Sequence, residues 1–418
     1  MGSDITGFYK MSIEERKRKV AEEIGLDISE LKGLDIEGTD LSLLDGMIEN
    51  VVGTFQLPLG IATNFMIDGR DHLVPMALEE PSVVAAASKA AKIARVSGGF
   101  RTTTTEPVMI GQIQITDIPD PEASKRMIDE RKSELLELAN SKDPLLVKIG
   151  GGARDIEIRV LDSSMGKMVI VHVLVDCRDA MGANAVNTMV EALAPELESI
   201  TGGSVVLRII SNLAIHRLAT AKAVFPKDEI GGDEGVNLIL KAYELAVVDP
   251  FRASTHNKGI MNGVSAVVRA TGNDTRAVEA GAHSYAAYKG IYSPLTKYYK
   301  NEDGDLVGGI TIPTAVGLVG GATKVHPAAK AAVKILGVTS ARELGSVLAS
   351  VGLAQNFAAL RVLAVEGIQK GHMKLHARNL ALQAGAGPEE VDIVVAEMIR
   401  SGKVTGSGAE EALSRVKK

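Results

Sequence analysis

Lys258 lies in Thr255-His256-Asn257-Lys258-Gly259-Ile260-Met261-Asn262-Gly263, a run of polar residues and glycines, and Thr271-Gly272-Asn273-Asp274 follows it. One ammonium among small residues, with an acid downstream, suits a site that stabilises negative charge developing on an oxygen. The spacing reads as a glycine-rich loop. Two carboxylates and a histidine could join the lysine in handling protons. Glu80 precedes Pro81, which biases it away from helical backbone and places it in the loop leading into a helix. Asp274 stands where a helix would begin, and capping is the ordinary role of a carboxylate there. His372 follows Gly371 at a hinge-like step, where a mobile acid would be well placed. Sequence order alone does not bring these four together in space.

The signals for nucleotide binding are of a weaker kind. No G-x-G-x-x-G follows a strand, and no Walker A motif occurs. Asp179-Ala180-Met181-Gly182-Ala183-Asn184 leads into a helix, and small residues at a helix N-terminus admit an anionic group closely. Gly150-Gly151-Gly152-Ala153-Arg154-Asp155 is a second, lesser candidate. Taken alone, each is equally a tight strand-to-helix turn. His372 and His376 are four apart but lack the H-E-x-x-H pattern and a nearby third ligand, so no metal is implied.

The bulk composition narrows the classes. The chain has 418 residues, 45% of them hydrophobic and 23% charged, which is ordinary for a soluble globular protein. A net charge of −6 gives no basic footprint for nucleic acid. No segment reads as a transmembrane helix. Cys177 is the only cysteine, so no internal disulfide or cysteine-metal cluster can form, and it reads as a small core residue at a strand end. A cytoplasmic protein with no membrane partner is expected.

The elements that must position these residues are partly legible. Ser12 opens a charged helix as its N-cap. An Ala/Val-rich helix runs from about Val83 to Ala94. Strands are expected at Gln112–Thr116, Ile156–Val160, Met168–Val175 and Val205–Ile210, with helices over Glu122–Asn140 and Ala183–Ile200. That order, β-α-β-β-α-β, is the split βαβ or ferredoxin-like arrangement. The region from 214 to about 365 reads as mainly helical, with Gly317–Lys324 as its most conspicuous joint. After Gly371 a three-helix unit is expected, with Val391, Val394, Val395 and Met398 on one face. The fold class is therefore α+β. Residues 1–106 and 214–367 form a large, mainly helical body, 107–213 an inserted ferredoxin-like domain, and 368–418 a mobile C-terminal flap.

Seven landmarks in order resemble the 3-hydroxy-3-methylglutaryl-CoA (HMG-CoA) reductase family, in its soluble class II form. They are Glu49–Thr54, Glu79–Ser82, Asp179–Asn184, His256–Gly263, Thr271–Asp274, Gly317–Thr323 and Gly371–Met373. The resemblance implies that Glu80, Lys258, Asp274 and His372 do the chemistry. It implies that the ferredoxin-like domain carries a nicotinamide coenzyme in place of a Rossmann fold, through Asp143, Leu145, Asp179, Met181, Gly182, Asn184 and Asn212. Ser82, Arg252, Asn262 and Asn356 would hold the HMG part of the substrate. Family members are homodimers with active sites at the interface, and some are hexamers built as trimers of dimers.

The implied reaction reduces HMG-CoA to mevalonate and free CoA with two NAD(P)H, reversibly, in isoprenoid metabolism. Lys258 would stabilise the oxyanion, His372 would protonate the departing CoA thiolate, and Lys258 with Glu80 would supply the proton to the aldehyde. Asp274 would hold Lys258 charged. Asp143 matches a position near the adenosine ribose, where an acid accepts from hydroxyls and repels a 2′-phosphate. It favours NADH, with NADPH as the alternative that Lys142 leaves open. Two other readings stand beside this one: a reductase of a different acyl-CoA, and a catalytically silent acyl-CoA-binding homologue.

Overall fold

Ser12 opens the first long helix through a reciprocal capping box. Its hydroxyl accepts from the Glu15 N–H at 3.2 Å, and the Glu15 carboxylate accepts from the Ser12 N–H at 2.7 Å. The computed structural model describes residues 2–35, 40–366, 377–387 and 389–417. Beyond the first helix, strands Leu59–Ile67 and Arg70–Ala77 form an antiparallel hairpin. Its two-residue turn needs positive φ at both positions, supplied by Asp68 (50°) and Gly69 (80°). Helix α1 (Val83–Val96) lies on this hairpin and buries Val83, Ala87, Ala90, Ala91, Ile93 and Ala94. Pro81 and Ser82 precede it.

The chain then builds a separate sheet. It runs through β1 (Val108–Thr116), α2 (Pro121–Glu130), α3 (Lys132–Asn140), β2 (Gly152–Ser163), β3 (Gly166–Asp176), α4 (Ala183–Thr201) and β4 (Ser204–Ser211). The strand order is β2-β3-β1-β4, with every neighbouring pair antiparallel. This is the ferredoxin-like arrangement. Period-two alternation sends Ile113 and Ile115 of β1 to the core and leaves Gln112 and Gln114 half-exposed. Val171, Val173 and Val175 of β3 meet Val186, Met189, Val190 and Leu193 of α4 in the same core. Gly111 allows the close approach, because a Cβ there would lie 2.5 Å from Val190 and 2.7 Å from Val186. The single helix expected over Glu122–Asn140 is two helices. Arg131 breaks it at φ −100° and ψ 12°, so that Ile128 and Leu135 each reach the sheet from their own segment.

On its return the chain is mainly helical, as expected, and it also contributes strands that the sequence reading did not place. A second four-stranded sheet has the order Arg101–Thr104, Leu218–Phe225, Leu306–Pro313, Thr296–Lys300. The strand Leu218–Phe225 buries Ala219, Ala221, Ala223 and Phe225 in strict alternation. Its alanines are small because a helix packs directly on them. That helix is α7 (Ala341–Arg361), reached after α5 (Pro250–Ala270) and α6 (Thr275–Ala287). Helices α5 and α7 cross at glycines. A Cβ on Gly263 would sit 3.0 Å from Val351, and one on Gly352 would sit 3.1 Å from Ile260 and Val264.

One sequence expectation about apolar length needs correcting. Ala341–Val365 is long and apolar enough to cross a membrane by length and composition. Its most apolar window is 72% buried inside the protein, so core packing accounts for its composition. At the C-terminus, residues 377–383, Val391–Ser401 and Gly406–Val416 are helical. Ala381, Val394, Val395, Met398, Ala412 and Leu413 give this unit a core of its own. His372 and His376 lie outside the described residues.

Candidate active site

Lys258 is not in a loop. It lies in the middle of α5, which Asp249 caps by accepting from the Phe251 N–H at 3.1 Å and which Pro250 opens. The glycines that suggested a loop serve other ends. Gly263 makes the crossing with α7, and the space where a Gly259 side chain would stand is open. One helical turn separates Lys258 from Asn262, which puts both on one face. Lys258 Nζ donates to Glu80 Oε2 at 2.9 Å, and Asn262 Nδ2 donates to the same oxygen at 3.2 Å. The two charged side chains remain 61% and 42% exposed. Ion pairs this exposed contribute little to stability. The cluster is therefore not a structural strut.

Ser82 adjoins this cluster in an unusual conformation. Its φ is 76° and its ψ −22°, the left-handed region, and its hydroxyl makes no capping bond to α1. A non-glycine residue held there costs about 1–3 kcal/mol, a strain found most often at functional sites. Arg252 stands six residues before Lys258 on the same helix. Partial burial lowers its pKa, and no carboxylate pairs with it among the described residues. Such a cation suits an incoming carboxylate.

Two of the expected residues are engaged elsewhere within the chain. Asp274 is the N-cap of α6, accepting from the N–H groups of Arg276 at 3.0 Å and Ala277 at 3.1 Å, with the Arg276 guanidinium at 3.4 Å. It has no bond to Lys258. Asn356 is buried beneath α5. Its Oδ1 accepts from Thr296 at 3.2 Å and from Tyr298 at 2.9 Å, and its Nδ2 donates to the His256 carbonyl at 3.3 Å. His256 is buried in the same network, with Nε2 2.6 Å from the Thr296 hydroxyl. Burial first, and then the Arg252 charge, depress its pKa to about 3. It is neutral at physiological pH.

The Asp179–Asn184 segment joins β3 to α4 and is tightly built. Gly182 has φ 110°, and a Cβ there would lie 2.3 Å from Cys177 Sγ. Only glycine fits, and the end of α4 is left bare. The Cys177 thiol is pushed up to about 12 by burial, so it is an inert packing group. Asp179 accepts from the Ala341 N–H at 2.8 Å through its carboxylate, and from the Leu318 N–H at 2.8 Å through its carbonyl. Gly317 approaches so closely that its Cβ would lie 2.5 Å from the Met181 nitrogen. Two landmarks distant in sequence therefore touch. Asn184 is exposed in the first turn of α4, and Asn212 is exposed just past β4.

Asp143 caps the short helix Pro144–Lys148 by accepting from the Leu146 N–H at 2.9 Å. With exposed Leu145 it borders a shallow depression that Lys148 and Ile149 complete. Gly151 connects this corner to β3, since a Cβ there would meet Leu146 at 2.6 Å and the Asp176 carbonyl at 2.7 Å.

Two features escaped the sequence reading. One is Arg217, buried against the Asp179–Asn184 segment, which no glycine or spacing signal marks. The other is a groove of about 1200 Å³ that starts at Glu80 and Ser82 and follows α1 past Lys89 and Lys92 to the N-terminal segment with Lys10 and Lys17. Its lysines come from segments far apart in the chain, so only the fold collects them.

Fold and site together define a two-part α+β enzyme. A ferredoxin-like module offers a bare helix end, and a helical body presents a lysine-carboxylate cluster at the head of a groove lined by both lysines and carboxylates. The family model described as hydroxymethylglutaryl-coenzyme A reductase matches residues 12–377, and the chain belongs to that family. It is 62% identical over 417 residues to the 3-hydroxy-3-methylglutaryl-coenzyme A reductase of Archaeoglobus fulgidus, covering 100% of this chain and 95% of the relative. A probable enzyme of the same name from Borreliella burgdorferi is 36% identical, over 89% of this chain and 85% of its own. The reductase of Streptococcus pneumoniae superposes with a TM-score of 0.84 at 40% identity, over 98% of this chain and 99% of that one. A class II structure from the same organism, bound to NADPH in open conformations, gives 0.83 over 98% and 100%.

Proposed function

We propose that this protein reduces HMG-CoA to mevalonate and free CoA, reversibly, with two reduced nicotinamides per turnover. The observation that carries the reading is the convergence of Lys258 and Asn262 on Glu80 Oε2, at 2.9 and 3.2 Å. A bound reduced nicotinamide supplies hydride in each of the two steps. This chain's residues do the rest. Lys258 Nζ holds the oxygen of the thioester carbonyl as it becomes an oxyanion. Collapse of the mevaldyl-CoA hemithioacetal releases mevaldehyde and a thiolate, which His372 protonates. In the second reduction Lys258 and Glu80 deliver the proton to the aldehyde oxygen.

Arg252 pairs with the terminal carboxylate of HMG, with Ser82 and Asn262 beside it. The groove lysines, Lys89 and Lys92 among them, suit the anionic tail of CoA. Asn356, buried as it is, supports this surface through His256. On the coenzyme side, the uncapped N-terminus of α4 and the exposed Asn184 favour a nicotinamide dinucleotide lying across Asp179–Asn184 toward Asp143, Leu145 and Asn212. Asp143 makes NADH our reading of the preferred coenzyme, although the Streptococcus pneumoniae relative was solved with NADPH.

We read the domains as 1–106 with 214–367, 107–213 and 368–418, the last closing over the site as a flap so that coenzyme can be exchanged while mevaldehyde stays bound. A homodimer with sites at its interface fits the exposure of Lys258 and Glu80 and leaves Asp274 available to the assembled site. A hexamer would be a trimer of such dimers. The setting is cytoplasmic. Following NADH and NADPH absorbance with HMG-CoA, and acetyl-CoA as comparison, tests the function. Oxidation with HMG-CoA alone is expected. No oxidation with either coenzyme would exclude the reading.

A further inference from the structure

Arg217 occupies the junction where the chain leaves the ferredoxin-like module and enters the second sheet. It is only 4% exposed. Its guanidinium donates to the carbonyls of Ala180 at 2.9 Å and Met181 at 3.0 Å on one side, and to the carbonyl of Val316 on the other. Its own carbonyl accepts from the Thr314 N–H at 2.9 Å. No carboxylate touches it among the described residues, and Asp179 and Asp176 act on it only from a distance. A buried cation without a contacting counter-charge is costly, and replacement by an apolar residue of similar size is often tolerated. Here the fork satisfies backbone groups of two loops that no strand or helix pairs.

Those loops are the Asp179–Asn184 segment and the stretch leading into Gly317. Because each peptide unit is planar and trans, drawing the Ala180 and Met181 carbonyls toward Arg217 turns the Met181 and Gly182 amides away from it. Neither amide has an acceptor among the described residues. The arginine thus sets the orientation of the backbone donors that precede α4, and it fixes them to the large body through Val316. A lysine has one donor centre and cannot span both sides as the planar fork does.

We propose that Arg217 is a positioning residue for the coenzyme, holding Asp179–Asn184 in its binding shape and in register with the large body. The proposal rests on reading that segment as the coenzyme site. Its test is direct binding of NADH and of NADPH to the full chain by calorimetry, alongside HMG-CoA binding and thermal unfolding, for Arg217→Met, Arg217→Lys and Asn184→Ala. Misplacing binding groups by about an ångström weakens binding by roughly ten- to a hundredfold, so Arg217→Met should lose at least about tenfold in coenzyme affinity. HMG-CoA affinity should stay within about twofold, and Arg217→Lys should fall between. If Arg217→Met does not fold, the same comparison on Arg217→Lys decides. Coenzyme and HMG-CoA affinities falling together, or neither moving, would overturn the positioning role. Should Asn184→Ala leave coenzyme affinity unchanged, the reading of the segment itself fails, and the inference about Arg217 with it.

Discussion

Lys258 and Glu80 stand 178 residues apart in the chain and meet at 2.9 Å on its surface. Asn262 shares the same carboxylate oxygen. The lysine is fixed by a helix whose Gly263 serves packing, and the glutamate by a loop ahead of another helix. An exposed pair of this kind adds little to stability, so its value lies in what a substrate oxygen would find there.

Glu80→Gln separates proton supply from architecture. The amide keeps the shape and can still accept from Lys258, but it cannot give up a proton as the acid does. Turnover should fall by about a hundredfold or more, in keeping with the loss of a general acid. Stability in urea should change by less than about 0.5 kcal/mol. A large loss of stability would show that the pair is a strut after all.

Ser82→Gly relieves the left-handed backbone. Glycine accepts φ 76° without the steric cost, so the variant should gain roughly 1 kcal/mol against denaturant. It should also bind HMG-CoA less well. Equal or lower stability would mean that Ser82 is held there by contacts worth more than the strain.

Arg252→Met removes a cation that no carboxylate balances among the described residues. A charged hydrogen bond to substrate is worth about 1.5–3 kcal/mol, so the KM for HMG-CoA should rise by roughly ten- to a hundredfold. Coenzyme KM should hold steady. A matching rise for coenzyme would argue against carboxylate recognition.

His256 gives the protein a pH dependence whose sign can be worked out. Its pKa falls from an ordinary 6.5 to about 3 in the folded state, chiefly through burial. The unfolded chain therefore binds the proton first as pH drops. The stabilising contribution is full above about 6.5 and is lost progressively toward pH 3. Unfolding free energy measured across that window should decline, and His256→Gln should flatten the decline. An unchanged slope in the variant would place the titration elsewhere.

Much of this architecture was legible in the residues. The alternation of β1 and β2 and the apolar, β-branched run of β3, with the helices between, marked a ferredoxin-like module because a period of two is hard to mistake when one face is buried. Lys258 and Glu80 were marked by type and surroundings, and Asn262 by the family resemblance. The helix beneath Lys258 was not, because Gly259 and Gly263 look like a loop until Gly263 is seen to make the crossing with α7. The alanine strand Leu218–Phe225 was not picked out within its mainly helical region, because small residues record a neighbour's approach and the neighbour is over a hundred positions away. Arg217 carried no signal at all, since its partners are backbone carbonyls that any sequence would offer.

The most direct test of the central claim is single-turnover reduction by Lys258→Met, measured separately with HMG-CoA and with free mevaldehyde. Removing one oxyanion donor costs about a hundred- to a thousandfold, and because Lys258 is assigned to both reductions both rates should fall by at least that much. Reduction of mevaldehyde at the unaltered protein's rate would contradict the account.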